Sequence, residues 1–330
     1  MRRKLVLSIA FGATLAMFQP ALARQSSADY AAAVETLAGK LQASYVDAAV
    51  GKQYAAMLRA NTMTYAAIAD PAVLAQRLTD DLRALHPDNH LRVAVGAPSG
   101  PPRMGPAPGG GPRPPAIEDP KWIADGVAYI RFNMFDGAPQ NLATLDTFMK
   151  EHVNAKAIIL DARTHRGGGM AEMDVMLPYL YARPTRLVAM DMAQAVIDTR
   201  GPPPEPPSLR RVDAPAGIYR REHWVTPNAE TRLRGAKVFY LTSHRTGSAA
   251  EHLALALKRT HRAVLVGEPT GGANHFGGFE PLGAGLSAFI PIGRTIDPDT
   301  GQDWEGIGVA PDVAVPADQA LDKALELAKS

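Results

Sequence analysis

The chain has 330 residues, a formal net charge of +2 and no cysteine. That length allows one large domain with a smaller companion. Near-neutral charge with scattered basic residues excludes a polycationic nucleic-acid binder, and the lack of cysteine excludes disulfides, thiolate nucleophiles, thiolate metal sites and a lipobox anchor.

Residues 1–23 predict a secretory signal peptide. Arg2, Arg3 and Lys4 form a basic start, residues 5–18 an apolar core, and Ala21-Leu22-Ala23 a small-residue cleavage site. The apolar run is too short to span a bilayer, and no later run is long and apolar enough either. The expectation is a periplasmic or secreted protein.

Residues 24–96 predict a small N-terminal helical bundle of three helices, with apolar residues at helical spacing. Asp70 followed by Pro71 marks a helix start. This segment closes on His86-Pro87-Asp88-Asn89-His90 and a short strand in LRVAVG. Residues 97–117 are dense in Pro and Gly and read as a linker that cannot form a packed core.

Residues 118–330 read as an α/β core. A strand is expected at 127–132 after an Asp-Gly turn, a helix at 139–153 and a buried strand at 155–160. Gly167-Gly168-Gly169 then leads into a helix over MAEMDVMLPYLY. No phosphate-loop or dinucleotide motif is present. Residues 182–235 show little periodicity and read as a long, partly irregular excursion over the site. A short strand at 263–266, a hairpin within 285–301 and a terminal helix at 318–328 complete the core. No internal repeat is apparent.

The pivotal stretch is KVFYLTSHRTGSAAEHLALAL, residues 237–257. A continuous apolar run predicts a strand covered on both faces, followed by a polar turn and a helix opening near Ser248. A hydroxyl there lies at the carboxyl end of the sheet, beside the free N–H groups of a helix start. It is placed either as a nucleophile next to oxyanion donors or as an N-cap, with Glu251 completing a capping box. A serine nucleophile needs a base, an orienting acid and oxyanion donors. Lys258 is three helical turns beyond Ser248, too far to serve as its base. His152, His252 and His261 read as surface or interface residues. His90 stands apart, at the junction of the bundle with the sheet.

Four segments together carry a resemblance: TSHRTGSAAEHLALALK, VGEPTGGANHFGG, PIGRTIDPDTGQDWEGIGVAPDVAV and AIILDARTHRGGG. They resemble the serine peptidase family of the C-terminal-processing (tail-specific) proteases, the tricorn core and the repeats of interphotoreceptor retinoid-binding protein. The likeness covers residues 35–327, and the helical start with DNHLRV is most similar to the retinoid-binding-protein branch. It implies an α/β, ClpP/crotonase-like ββα-type core behind the helical bundle. It also implies that Ser248 is the nucleophile. Where a lysine base would stand in some branches, this chain has Ala273. The tricorn branch instead implies His90 as base and Glu305 of the Glu-Gly-x-Gly-Val-x-Pro-Asp motif as acid. The oxyanion donors implied are Ala249 N–H and one from Gly167 or Gly168.

Two positions depart from the family pattern. Asn89 replaces a serine and is expected to bridge to Glu305 through its amide. His165 replaces an asparagine and is a second candidate base. The span between His90 and the next strand leaves no room for a peptide-binding PDZ domain. The resemblance implies no metal or organic cofactor, and a peptide or protein as the substrate partner. The rival reading is a non-catalytic binding protein for a hydrophobic ligand on the same scaffold; hydrolysis of a non-peptide ester is a third.

Overall fold

The computed structural model describes residues 26–96 and 114–329. The signal peptide and most of the Pro/Gly segment lie outside the described residues. The bundle holds four helices: α1 (Ser27–Ser44), α2 (Ala48–Ala60), α3 (Thr62–Ala66) and α4 (Pro71–Leu85). Asp70 caps α4 as expected, accepting the N–H groups of Ala72 and Val73 at 2.7 and 3.1 Å. The extra helix arises at Asn61, which both ends α2 and precedes the single turn of α3.

β1 (Arg92–Val95) follows. After the Pro/Gly segment come β2 (Ile117–Ala124), β3 (Val127–Phe132), α5 (Pro139–Glu151), β4 (Ala157–Asp161) and α6 (Ala171–Leu180). β2 is an edge strand not expected from the sequence, beginning at Ile117, the last residue of the expected linker. Its pattern is mostly exposed, so it lacks the apolar run that marks β4. Then come β5 (Thr185–Ala193), α7 (Gln194–Arg200), β6 (Leu209–Val212), β7 (Ile218–Val225), β8 (Lys237–Thr242) and α8 (Ala249–Arg259). The chain finishes with β9 (Val264–Gly267), β10 (Phe276–Gly283), β11 (Leu286–Ile296), β12 (Val313–Ala314) and α9 (Ala320–Lys329).

Two six-stranded sheets result. One has the order β12-β9-β8-β4-β3-β2, parallel except for the β2 edge. Its strands alternate between two cores. Ile158, Leu160 and Tyr240 meet α6 and α8, while Ile159, Phe239 and Leu241 meet Ala320 and Ala324 of α9. The second sheet is antiparallel, in the order β1-β11-β5-β7-β6, with β10 also paired to β11. Leu187, Val188 and Val225 of this sheet share the core of α6 and α8, so that helical layer is covered from both sides.

The second sheet corrects the reading of residues 182–235. They are not an irregular excursion; β5 and β7 lie at the centre of the sheet. In β7, IYRREHWV alternates strictly between half-buried and buried, but Arg221 and His223 occupy inward positions and disguise the period. The expected hairpin also shifts: its arms are β10 and β11, joined at Ala284-Gly285. The bundle is not a separate body, because β1 pairs with β11, and Leu282, Leu286, Ala288 and Ile290 belong to the helical core. No helix among the described residues is long and apolar enough to cross a membrane.

Candidate active site

Ser248 occupies the turn between β8 and α8 with φ 58° and ψ −121°, a backbone region that residues with a side chain rarely adopt. Glu251, fully buried, holds it there. One carboxylate oxygen accepts the Ser248 N–H and the Ala273 N–H, both at 2.8 Å. The other accepts Thr270 Oγ1–H at 2.6 Å and Gly272 N–H at 2.7 Å. Glu251 therefore completes its half of a capping box and also pins the loop after β9 against the serine turn. Burial pushes its pKa up, opposed by the Thr270 hydroxyl and these N–H donors.

The Gly-rich turn after β4 closes on the same serine. Gly247 N–H donates to the His165 carbonyl at 2.9 Å, and Gly167 N–H donates to His165 Nδ1 at 3.0 Å. A Cβ on Gly167 would lie 2.6 Å from Ser248 Cβ, and one on Gly168 only 1.8 Å from the Phe135 carbonyl oxygen. Glycine is thus required at both positions, each also at positive φ. Gly167 cannot serve as an oxyanion donor here, since its N–H is committed to His165. Among the described residues, the N–H groups of Gly168 and Ala249 have no hydrogen-bond partner. They are the pair available to a developing oxyanion.

His165 is not a candidate base in this arrangement. It is wholly buried against Phe135, and burial drives its pKa down to about 3. Its function is to wedge the two glycine turns together. His252 and His152, expected at the surface, are buried as well. His252 bonds His223 at 2.8 Å, and His152 packs on Phe148 and Trp122.

Asp88 is the hub of the charged side of the site. Its Oδ1 accepts the backbone N–H groups of His90 and Leu91 at 2.8 and 2.9 Å. Its Oδ2 accepts Tyr45 O–H and the His275 ring Nδ1, both at 2.8 Å. Glu305 accepts Asn89 N–H at 3.0 Å through one oxygen, and Asn274 and His275 N–H at 2.6 and 3.0 Å through the other. Asn89 and Glu305 do meet, but through the Asn89 backbone. Its side-chain amide donates instead to the carbonyls of Gly271 and Gly272.

The two histidines at this hub differ sharply. The ring of His90 stacks on Phe289 with centroids 5.5 Å apart, and its Nδ1 is buried without a partner. Burial lowers its pKa to about 4. Neither Asp88 nor Glu305 bonds that ring. For His275, burial opposes the charged form, but the Asp88 hydrogen bond and the charges of Asp88 and Glu305 outweigh it and hold the pKa above the ordinary value. Sequence reading missed His275 because nothing in its neighbourhood looks like a base. The one available signal was its place two residues beyond Ala273, in the loop where other branches carry lysine.

Asp88, His275 and Glu305 offer ligand atoms within 4.8 Å of one another, the one such group among the described residues. Every carboxylate oxygen in it already accepts N–H or O–H donors, which suits a proton relay better than a chelate.

Residues 126–315 match the family model described as peptidase family S41. The chain belongs to peptidase family S41. It is therefore of the serine-peptidase type, on a mixed α/β fold with N-terminal helices. Among solved structures, it is similar to a candidate peptidase from Parabacteroides merdae at 17% identity and TM-score 0.60, over 93% of this chain and 98% of that one. It is similar to the tricorn protease at 12% identity and TM-score 0.55, over 92% of this chain and 37% of tricorn. Its likeness to a photosystem II D1 C-terminal processing protease, at 22% identity and TM-score 0.43, covers 58% of this chain and 43% of that one. The chain thus spans less than half the length of the latter two proteins.

Proposed function

We propose that this S41 chain is an exported peptidase that hydrolyses peptide bonds through an acyl-enzyme on Ser248, using a ClpP/crotonase-like core of the branch without a PDZ domain. The short span from Gly96 to Ala116 between β1 and β2 supports the last point. Ser248 Oγ attacks the scissile carbonyl carbon, and a histidine takes its proton and returns it to the leaving amine. Gly168 and Ala249 N–H groups, with the positive end of α8, receive the oxyanion. Water then releases the acyl group by the same route.

For the base, the geometry favours His275 over His90. The observation that carries this choice is the Asp88–His275 bond, which orients the ring and supports the imidazolium that forms. Glu251 brings the two segments together, since Ser248 N–H and Ala273 N–H share one of its oxygens. Glu305 anchors the backbone of the His275 loop and adds charge behind it.

A serine-directed fluorophosphonate tests the nucleophile. Wild-type protein is expected to label and Ser248→Ala not to label, with an almost unchanged thermal midpoint. Equal labelling of the two proteins overturns the assignment. The signal peptide is tested by secretion: fusing residues 1–23 to a reporter should export it from a bacterial cytoplasm.

A further inference from the structure

Beside the two histidines at Asp88 is a cationic platform that the peptidase reading does not use. Arg92, Phe289 and Phe279 stand directly opposite one another across β1, β11 and β10, and so share one sheet face. The Arg92 guanidinium lies 5.3 Å from the Phe289 ring centre and 4.8 Å from that of Phe279. His90 stacks on the same Phe289. The aromatic rings fix the guanidinium in place before any ligand arrives, which lowers the ordering cost of binding.

Arg92 spends one donor internally, from Nη1 to the His90 carbonyl at 3.2 Å. Among the described residues its Nε and Nη2 have no hydrogen-bond partner, yet they are not among the buried unpartnered atoms, so they still reach solvent. Arg83 stands close behind. Its Nε and Nη2 hold the carbonyls of Leu91 and Asn89, at 3.0 and 3.1 Å, and its Nη1 is left over among the described residues. Among the described residues, neither guanidinium has a carboxylate within 4.0 Å. Arg262 shows what a purely structural unpaired arginine looks like: three carbonyls, of Leu180, Ala236 and Leu233, take its donors. Asp88, the acid nearest in sequence, has both oxygens committed elsewhere. Burial and the neighbouring Arg83 both lower the Arg92 pKa, which shows a cation lacking a counter-charge.

We infer that Arg92, backed by Arg83, recognises a carboxylate of the peptide substrate, so that this peptidase prefers peptides carrying an acidic group near the scissile bond. The inference rests on the peptidase reading for its consequence in cleavage, but not for the binding event. A guanidinium with two open, parallel donors matches a carboxylate in bidentate fashion. The carboxylate can be an Asp or Glu side chain or the terminal α-carboxylate, and the two sources are separable.

The test uses the full chain and one fluorescent peptide in three forms: free acid with internal Gln, C-terminal amide with internal Glu, and amide with internal Gln. Binding to Ser248→Ala is followed by anisotropy, and cleavage by wild type is followed as kcat/KM. One of the two acidic forms is expected to bind and react at least about tenfold better than the neutral form, with the gap shrinking at high salt. Arg92→Gln should reduce that ratio to near one, and Arg92→Lys should retain part of it. If Arg92→Gln fails to fold, Arg83→Gln should still narrow the ratio. Equal binding of all three forms to the Ser248→Ala protein overturns the inference even if wild type cleaves them. Selective binding without cleavage leaves it standing and overturns the peptidase reading instead.

Discussion

Two histidines sit at one aspartate, and they are held in opposite ways. Asp88 grips His90 by its backbone and leaves the ring to an aromatic face; it grips His275 by the ring itself. The first arrangement yields a neutral imidazole that is hard to protonate, the second a basic imidazole with a carboxylate behind it. The comparison teaches that proximity to an acid in sequence says little about which ring that acid serves.

The largest effect should come from deleting the favoured base. His275→Ala is expected to lower kcat by about 10²–10⁴ on a peptide substrate, and His90→Ala by at least tenfold less. Finding the reverse order would assign the base to His90, as the family resemblance implies, and break the contrast. Next, Gly168→Ala should lower both labelling and kcat by roughly 10², because the Phe135 carbonyl must move and take the oxyanion donor with it. Asp88→Asn should cost about as much. It should also shift the acid limb of kcat/KM downward, since the amide no longer stabilises the imidazolium.

The wild-type acid limb is a finer probe. His275 must be neutral to act, and its pKa is raised, so as pH is lowered activity should begin to fall while still above the ordinary histidine pKa. Stability runs the other way for this residue. Its contribution is present below the unfolded-state histidine pKa and is lost as pH rises through the raised folded value. His90 and His165, depressed to about 4 and about 3, contribute stability above the unfolded value that is lost as pH falls. The thermal midpoint should therefore drop as pH falls from about 6 towards 4, and His165→Asn should flatten that drop. A pH-independent midpoint would contradict the buried, neutral state of these rings. The smallest effect is expected from Glu305→Gln. Its partners are backbone N–H groups that an amide oxygen can still partly satisfy, so the loss in kcat should be a few-fold.

How much of this was readable beforehand follows from where the signals lie. The parallel sheet declared itself through unbroken apolar runs such as AIIL and VFYL, and the serine turn through the Gly-Ser step before an apolar helix. The meeting of the Gly167-Gly168 turn with the serine turn was implied by the family resemblance and not by the glycines alone. The antiparallel sheet was hidden, because its buried positions in β7 include Arg221 and His223, whose partners come from distant segments. For the same reason His275 went unnoticed: its role depends on Asp88, almost the whole α/β core away in sequence. Asn89 was expected to reach Glu305 through its side-chain amide, whereas its backbone N–H makes that bond, and a backbone N–H leaves no trace in residue identity.

β1 stitches the helical segment into the antiparallel sheet, and that seam divides the proposed catalytic groups between the two sides of the Pro/Gly stretch. Asp88 belongs to the first piece, and His275 and Ser248 to the second. A chain severed between residues 96 and 114 would yield two halves, each holding part of one reactive centre. Recovered hydrolysis on mixing them would then report fragment reassembly.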